Sequence, residues 1–348
     1  MEFILRDASK QDINDICELG ALLNTINLPA QKSELEQVIA LSERSFSLEE
    51  TNAAERCFLF VLVNAEKRVI GASQIRAQHG TLNAPHTYFQ INTDERYSPT
   101  LKKYFQHQTL RLVQNFCGPT EIGSLVLAKN YRSHEAALGR QISFVRFLFI
   151  AMNKNFFRDH VLAELMPPLG PHFESALWNA IGYKFTGLDY ATADMLSRKN
   201  KEFIKSLFPA GDIYLNLLPT PAQEVIGQIG PDSLGAARLL SSIGFRYSLR
   251  VDPFDGGPHF EVPTEHISII KNARHGLNSE STNAQNIGLV GCFNPEKPSG
   301  QRFRAVKSYY SYDTSLKNIY INQNTRRALM LNTDSVLWAI DLYPARDI

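Results

Sequence analysis

The hydrophobic pattern of the first half of the chain predicts short strands alternating with amphipathic helices. Apolar residues recur every second position in the strands and every third or fourth position in the helices. The predicted strands are 3–6, 57–63, 69–77 and 87–92, and the predicted helices are 10–24, 31–44 and one that begins near Pro99 within 93–119. A short polar segment, 64–68, predicts a hairpin between the second and third strands.

The segment 121–140 organises this half of the chain. Its first part reads as a strand buried on both sides. Ile122, Ser124 and Val126 are expected on one face, and Leu125 and Leu127 on the other. A turn of small residues and a long apolar helix over 141–157 follow, and a strand over 160–165 is expected to lie parallel to the first, with this helix as the crossover.

A strand, a small-residue turn and a helix direct several backbone N–H groups at one point, which favours an anion such as a pyrophosphate. Arg132 and Arg140 flank the turn and can pair with phosphate oxygens. We therefore hypothesise that the turn holds the pyrophosphate of a coenzyme A thioester. An ordinary connection with surface arginines is the alternative.

The second half has weaker periodicity and ends in a region rich in short strands. We expect a helix over 173–181 that ends at Gly182, a strand over 183–187, a helix over 190–207 and a Gly/Pro-rich turn between strands within 251–262. The polar segment 271–286 is interpreted as a linker. Residues 287–348 are interpreted as a small, mostly β, barrel-like module with strands at 288–293, 303–309, 318–322 and 336–342 and a helix near 325–331.

Composition excludes several classes of function. The 348 residues are 44% hydrophobic and 20% charged, and the net charge of +1 argues against nucleic acid or a membrane surface as the main partner. The four cysteines are widely separated, which predicts free thiols in a reducing compartment, with no metal site. Neither a signal peptide nor an apolar run of the roughly 20 residues that span a membrane is evident. A cytoplasmic location is expected.

Motifs spread over residues 2–270 resemble the arginine N-succinyltransferase family. The resemblance is weaker over the remaining residues. The matching motifs are Ile4–Asp7, Asn27–Ala30, Leu125–Leu127, Tyr131–Arg132, Gly139, Ala163–Glu164, Trp178, Gly182–Phe185, Leu188–Asp194, Ala222–Gln228, Gly244–Tyr247 and Phe254–Pro258.

The resemblance implies a catalytic region over 1–270 with the mixed sheet and flanking helices of the GCN5-related N-acyltransferases, of α+β or α/β class. This region has possible related halves at about 1–188 and 189–270. The family transfers a succinyl group from succinyl-CoA to the α-amine of arginine, and some members accept ornithine. Backbone around Leu125, extended here to Val126 and Leu127, is implied to contact the acyl-CoA. Succinyl-CoA is then a co-substrate, no permanent cofactor is expected, and the chain is expected to act alone or in a homo- or hetero-oligomer.

Two departures from the family pattern bear on catalysis. Gly230 stands where the family has its proposed proton-donor histidine, and glycine cannot transfer a proton. The segment Ala136–Gly139 replaces a turn that is richer in glycine, so its backbone is expected to approach the pyrophosphate less closely. Asp232, Tyr214 and His172 are possible substitutes for the donor, and restoring the histidine by Gly230→His is the corresponding test.

The remaining candidate residues are acidic or amide groups suited to a basic substrate. Glu164 can accept the ammonium proton or bind the guanidinium, or it forms a salt bridge at a strand end. Asp255, with Gly256, can bind the guanidinium or amine, or the Asp-Gly-Gly-Pro turn is purely conformational. Asn27 can bind substrate or cap a helix, and Asp232 can be catalytic or an N-cap.

Three functions therefore remain open from the sequence. The first is arginine N-succinyl transfer, by direct attack of the amine on the thioester. The second is transfer of another acyl group or to another amine, such as ornithine. The third is a catalytically silent relative that retains ligand binding, for which the glycine at position 230 is the argument.

Overall fold

A computed structural model describes residues 2–21, 31–82, 84–171, 174–197, 201–281, 284–332 and 334–343. The strands are β1 Ile4–Asp7, β2 Cys57–Val63, β3 Val69–Arg76, β4 His86–Ser98, β5 Lys103–Asn115, β6 Thr120–Leu127, β7 His160–Glu164, β8 Ile213–Tyr214, β9 Arg246–Val251, β10 Pro258–Pro263, β11 Arg274–Glu280, β12 Asn286–Phe293, β13 Phe303–Asp313, β14 Asn318–Ile321 and β15 Val336–Asp341. The α-helices are α1 Ile13–Gly20, α2 Lys32–Phe46, α3 Leu138–Met152, α4 Ala176–Ala180, α5 Gly182–Thr186, α6 Tyr190–Ser197, α7 Glu202–Leu207, α8 Thr220–Val225, α9 Leu234–Ser241, α10 Ser268–Lys271 and α11 Gln323–Ala328.

One mixed sheet runs through the body of the molecule in the order β1-β2-β3-β6-β7-β10-β9-β4-β5-β8. The parallel pair β6–β7, with α3 as its crossover, confirms the predicted arrangement. These two strands are paired only at Thr120–Val161 and Glu121–Leu162. Beyond this point no pairing joins them, although β6 continues to Leu127. The sheet therefore opens between the two strands towards their carboxyl ends.

A bulge in β6 changes the faces that the sequence predicted. Ser124 has φ of 51°, and the register against β3 shifts at this position. As a result Ile122 packs in the same cluster as Leu125 and Leu127, beneath α3, whereas Val126 packs on the opposite side with α1 and α2. The predicted grouping of Ile122 with Val126 was wrong because an extra residue in a strand reverses the alternation of faces.

Helix α3 lies in the hydrophobic core, and most of its residues are buried. Apolar side chains surround it on nearly every side, and Phe149 packs against the rings of Phe46, Phe58 and Phe60 at centroid distances of 4.8–5.4 Å. Truncating a phenylalanine in such a core typically costs about 3–5 kcal/mol. The helix therefore packs firmly against α2 and β2, and Ile122 and Leu127 of β6 belong to the same hydrophobic cluster.

The C-terminal strands form a closed barrel, in which β12 pairs with both β15 and β13. Strand β11 belongs to this barrel and lies inside the segment 271–286, so the prediction of a linker there was wrong. Its polar sequence reflects a half-exposed strand in which Gly276 and Asn278 face inward. The barrel is joined to the body because β13 also pairs with β1, with Leu5 opposite Ala305. The division into halves at about residue 188 stays a prediction.

Other secondary-structure predictions also need correction. The expected helix in 93–119 is the hairpin β4–β5, whose strands are long and partly exposed, so their hydrophobic alternation is weak. The segment 183–187 was expected as a strand, but residues 183–186 lie in α5 and Gly187 follows the helix as its C-cap. Gly182 allows this corner, because a Cβ there would lie 2.3 Å from the Trp178 ring. The expected helix 190–207 is two helices, α6 and α7.

Candidate functional site

Three loops meet at the carboxyl end of β7, next to the opening in the sheet. The N–H of Gly230 donates to the Met166 carbonyl at 2.8 Å, and the N–H of Gly227 donates to the Gly256 carbonyl at 2.8 Å. Leu165, the residue after β7, donates to the Pro258 carbonyl at 3.1 Å. Segments near residues 166, 228 and 256 are therefore fastened together around Glu164, which ends β7.

Three imidazoles converge on one oxygen of Glu164. The Nε2 atoms of His79, His86 and His259 lie 3.6, 3.4 and 3.5 Å from Glu164 Oε1. His259 is the cross-strand partner of Glu164 in the antiparallel pair β10–β7. His86 begins β4 and stacks against His259 at a ring-centroid distance of 5.3 Å. The fold thus gathers residues from three distant parts of the chain.

Glu121 extends this cluster on the β6 side. Its Oε2 lies 3.0 Å from His79 Nδ1 and 3.7 Å from Arg76 Nε. Burial alone raises the pKa of the Glu121 carboxyl, but His79 and Arg76 outweigh it and lower the pKa to about 2. The resulting carboxylate accepts the Nδ1 proton of His79, which leaves Nε2 as the basic nitrogen directed at Glu164.

Burial and charge act differently on the other members of the cluster. Burial, aided by His79, lowers the pKa of His86 to about 3, and burial lowers the pKa of His259. Burial would raise the pKa of Glu164, but His259, His86 and His79 together hold it well below its usual range. The cluster therefore favours an ionised carboxylate at Glu164.

Several of these nitrogens are buried without a hydrogen-bond partner among the described residues. They are His79 Nε2 and both ring nitrogens of His86 and of His259. Buried polar atoms are normally paired, and leaving one unsatisfied typically costs about 1–3 kcal/mol. A group bound from outside the described part of the chain would satisfy these nitrogens.

A second acidic site lies in the turn between β9 and β10. Asp252 Oδ1 accepts from the N–H of Phe254 at 2.7 Å, and Asp255 Oδ1 accepts from the N–H of Gly257 at 2.7 Å. Burial and Glu164 raise the pKa of Asp252 to about 6, and burial together with Asp252 raises the pKa of Asp255 well above its usual range. Gly256, at φ of 81°, supplies the left-handed conformation that the turn requires. A cation placed here would relieve the repulsion between the carboxyls.

On the other side of the opening, the turn before α3 has the predicted position. Ala137 precedes the helix with φ of 57°, and a Cβ at Gly139 would meet only Leu127 Cδ2, at 3.9 Å, so glycine is not sterically required there. Arg132 donates from Nε to the Leu127 carbonyl at 3.2 Å. Arg140 donates to the Leu342 carbonyl at 3.0 Å and stacks on Tyr343.

Lys307 is a further basic residue at this turn, and the sequence analysis did not single it out. Its Nζ donates to the Ala136 carbonyl at 3.2 Å from strand β13 of the barrel. Only the tertiary structure brings residues 136 and 307 together, so no local pattern marks this lysine.

The structure separates the remaining predicted site residues. Asp232 is exposed in a short 3₁₀ turn, Pro231–Ser233, that leads into α9. Tyr214 donates to Asp94 on the exposed face of the β4–β5 hairpin. A Cβ at Gly230 would lie 2.5 Å from the Pro167 carbonyl oxygen, so no side chain fits there without backbone movement. Asn27 and His172 lie outside the described residues.

Sequence reasoning identified Glu164, Asp255 and the Leu125–Leu127 strand but missed His79, His86, His259 and Glu121. The histidines are single residues with no metal-binding spacing along the chain, so only the strand pairing brings them together. A weak signal was present: His259 directly follows the Asp-Gly-Gly-Pro turn, and Glu121 begins the central segment.

None of the helices in the described part of the chain has the length and apolar character needed to cross a membrane. Residues 3–269 match the family model described as arginine N-succinyltransferase beta subunit. Arginine N-succinyltransferase of Yersinia pestis strain Pestoides F is 33% identical over 275 residues, which cover 77% of each chain. The enzyme of the same name from Escherichia coli O6:K15:H31 is 30% identical, with 78% of this chain and 79% of that one covered.

A solved structure extends this similarity to the whole fold. The arginine/ornithine succinyltransferase subunit AI from Pseudomonas aeruginosa superposes with a TM-score of 0.83 at 25% identity and covers 99% of each chain. The expected mixed sheet with flanking helices and the barrel module are both confirmed. Because the family model spans more than half of the chain and relatives share at least 30% identity over about three quarters of it, the chain belongs to the arginine N-succinyltransferase family.

Proposed function

We propose that this protein transfers a succinyl group from succinyl-CoA to the α-amine of arginine, as part of arginine catabolism. The observation that carries the proposal is the family match over residues 3–269. It is supported by a site in which an opened parallel pair, a buried carboxylate and an acidic turn lie around the same strand end, β7.

The acyl-CoA is proposed to enter the opening between β6 and β7. Backbone N–H groups at Leu125, Val126 and Leu127 are the proposed donors to the thioester carbonyl, since preorganised donors stabilise the oxyanion as it forms. The bulge at Ser124 supports this role because it breaks the regular ladder directly before these residues.

The pyrophosphate is proposed to bind at the amino end of α3, beside Gly139. Arg132, Arg140 and Lys307 surround that turn, and each still has N–H groups beyond the single carbonyl contact that it makes here. Their positive charge complements the pyrophosphate, and the positive end of the helix dipole adds to the attraction.

The substrate cation is proposed to bind at Asp255, with Asp252 beside it and Gly256 shaping the turn. Two buried carboxyls of raised pKa and the nearby Glu164 form an environment that favours a positive ligand. A guanidinium can donate two parallel N–H bonds to such a carboxylate.

Glu164 is proposed as the acceptor of the amine proton. The neutral amine attacks the thioester carbonyl carbon, the C–N bond forms, the C–S bond breaks, and the thiolate of coenzyme A leaves. The proton lost by the amine passes to Glu164, whose carboxylate is held ionised beside the three imidazoles. Asp232 is the weaker candidate because its side chain lies in an exposed turn.

One observation favours a second candidate function, a silent relative that binds ligand without turnover. Gly230 occupies the position of the family's histidine, and Pro167 fills the space that a side chain would need. In that case the chain would retain succinyl-CoA binding and serve beside an active subunit. The matched family is one of beta subunits and the Pseudomonas relative is the subunit AI, which supports a proposed homo- or hetero-oligomer.

The test is a thiol-release assay with succinyl-CoA and a panel of amines, including arginine and ornithine, with acetyl-CoA in parallel. Arginine-dependent thiol release from succinyl-CoA supports the proposed transfer. Release with another combination of acyl-CoA and amine would identify an acyltransferase with a different substrate. Succinyl-CoA binding by calorimetry without release favours the silent relative. We propose a cytoplasmic location, since the substrate is an acyl-CoA and all four cysteines are unpaired.

A further inference from the structure

We propose that His79, His86 and Glu164 form a binding site for one divalent transition-metal ion, with Zn²⁺ as the preferred occupant. This inference goes beyond the proposed function and requires no turnover to test. It rests on the arrangement of the ligand atoms, on their unsatisfied hydrogen bonds and on the partner that orients His79.

The spacing of the ligand atoms suits a tetrahedral metal. The candidate ligand atoms of His79, His86 and Glu164 lie within 4.8 Å of one another, and the two Nε2 atoms lie 3.6 and 3.4 Å from Glu164 Oε1. Ligands about 2.0–2.1 Å from a tetrahedral zinc are separated from each other by about 3.3–3.4 Å. Small side-chain adjustments therefore bring these atoms to coordination distance.

Hydrogen bonding alone does not account for the cluster. Ordinary N–H···O bonds are about 2.7–3.2 Å long, and the three imidazole contacts to Glu164 are all longer. Both ring nitrogens of His86 lack a partner among the described residues, although the side chain is only 1% exposed. A metal would satisfy Nε2 of His79 and of His86 together with the carboxylate.

Glu121 prepares His79 for this role. Its carboxylate lies 3.0 Å from His79 Nδ1, so the Nδ1 proton is directed at Glu121 and the lone pair of Nε2 points towards Glu164. A carboxylate behind a metal-bound histidine fixes the tautomer and raises the basicity of the ligand. Arg76, 3.7 Å from the same carboxylate, balances its charge.

The donor set and the access route favour zinc. Two imidazoles and one carboxylate form a three-ligand zinc site that leaves a fourth position for water or another ligand. His259 Nε2, 3.5 Å from Glu164 Oε1, borders that position. The side chains of His79 and Glu164 are 15% and 22% exposed, which gives an ion a route from solvent.

The test uses the full chain after treatment with a chelator, titrated with Zn²⁺ by calorimetry and with Co²⁺ by visible absorption. We expect one Zn²⁺ per chain and the intense visible bands of four- or five-coordinate Co²⁺. If any of the four cysteines bound Co²⁺ as a thiolate, the spectrum would show a strong additional near-ultraviolet band. We expect this band to be absent.

Variants assign the site. His79→Gln and His86→Gln are expected to weaken Zn²⁺ binding at least 100-fold, and Glu121→Gln about 10–100-fold, as for the loss of an orienting partner. His266→Gln, an exposed residue outside the cluster, is the matched control and should bind as the wild type does.

Three results would overturn the proposal: no saturable Zn²⁺ binding by the wild-type chain, thiolate bands with Co²⁺, or unchanged affinity in both ligand variants. Circular dichroism establishes whether each variant is folded. The cobalt spectrum of the wild-type chain decides the question even if a variant fails to fold.

Discussion

His259 and Glu164 are direct partners across the antiparallel strands β10 and β7, with His259 Nε2 3.5 Å from Glu164 Oε1. This pairing joins the acidic turn before β10 to the opening at the end of β7. Asp255, the carboxyl proposed to bind the substrate, lies only four residues before His259. It is therefore close along the backbone to the imidazole that borders Glu164, the proposed base.

Replacing Glu164 tests its role as proton acceptor. Glu164→Gln keeps the shape of the side chain but removes the basic oxygen, and loss of general-base help is typically worth about 10²–10⁴-fold in rate. We expect kcat/KM for succinyl transfer to fall at least about 100-fold. Asp232→Asn is the comparison variant and should stay within about twofold of wild type, because Asp232 is exposed in a turn. A larger loss in Asp232→Asn than in Glu164→Gln would reverse the assignment.

Asp255→Asn tests the binding of the substrate cation. Asparagine can still accept the Gly257 N–H bond at Oδ1, so the turn is expected to remain. Loss of a charged hydrogen-bond partner costs about 1.5–3 kcal/mol, which corresponds to roughly a tenfold or greater rise in KM for arginine. KM for succinyl-CoA should change little. Equal effects on both KM values would contradict a specific role for Asp255.

The family comparison suggests that restoring a histidine at position 230 would increase activity, whereas the structure predicts that a side chain there destabilises the fold. Because a Cβ at Gly230 meets the Pro167 carbonyl oxygen at 2.5 Å, Gly230→Ala is expected to lower the free energy of unfolding by about 1–3 kcal/mol. Gly230→His should not increase the rate of transfer. Gly235→Ala, in α9 with nothing within 4 Å of the new Cβ, is the control and should be neutral or stabilising by up to about 1 kcal/mol. A faster Gly230→His enzyme would show that the loop moves to admit the ring.

Asp7 gives a pH dependence that is independent of the site. Its two carboxylate oxygens accept from the N–H groups of Gly300 and Phe303 at 2.7 and 3.1 Å and so join β1 to the barrel. Burial raises its pKa from 3.8 to about 6, so the folded chain binds the proton more tightly than the unfolded chain. This contribution to stability is present at low pH and is lost as pH rises from about 4 to about 6, by up to about 3 kcal/mol.

Asp7→Asn cannot ionise, and its free energy of unfolding should lack that decline. Chemical denaturation at pH 4 and at pH 7 measures the free energy of unfolding of both proteins. The difference in this free energy between wild type and Asp7→Asn should change by up to about 3 kcal/mol between the two pH values. Parallel pH profiles for the two proteins would show that Asp7 does not carry the effect.

Zinc binding and proton transfer compete for the same carboxylate, which gives a fifth prediction. If Zn²⁺ engages Glu164, added Zn²⁺ should slow succinyl transfer in the wild-type chain, and a chelator should restore the rate. His86→Gln should lose this sensitivity, measured as the ratio of rates with and without the ion, and His266→Gln should keep it. Equal inhibition of all three proteins would place the inhibiting ion elsewhere.

Local pattern was sufficient for much of the fold. The strand–turn–helix over residues 120–152 and the parallel partner β7 follow from buried apolar runs that are bounded by polar turns. The predicted strand 87–92 is the first half of β4, but the outer half of β4 and all of β5 were missed because these segments leave the core and lose the alternation that marks a strand. The reversal of faces at Ser124 was missed, although Gly123 directly before it is the kind of residue that often marks a bulge inside a strand.

The site divides in the same way. Glu164 and Asp255 were proposed from the sequence, because Glu164 ends a predicted strand and Asp255 lies in a Gly-rich turn suited to a basic substrate. His79 and His86 were not proposed, since a lone histidine carries no local signal. Their convergence depends on strand pairing between residues that are far apart in sequence, together with the burial that this pairing produces. The unsuitability of position 230 for a side chain likewise depends on Pro167, which contacts it only in the folded chain.

The most direct test of the proposed function is to incubate the purified chain with succinyl-CoA and arginine and to follow both thiol release and the product by mass spectrometry. We expect arginine-dependent release of coenzyme A and an arginine succinylated on its α-nitrogen. Bound succinyl-CoA with no succinylated arginine above the uncatalysed level would contradict it and would identify the chain as a silent relative.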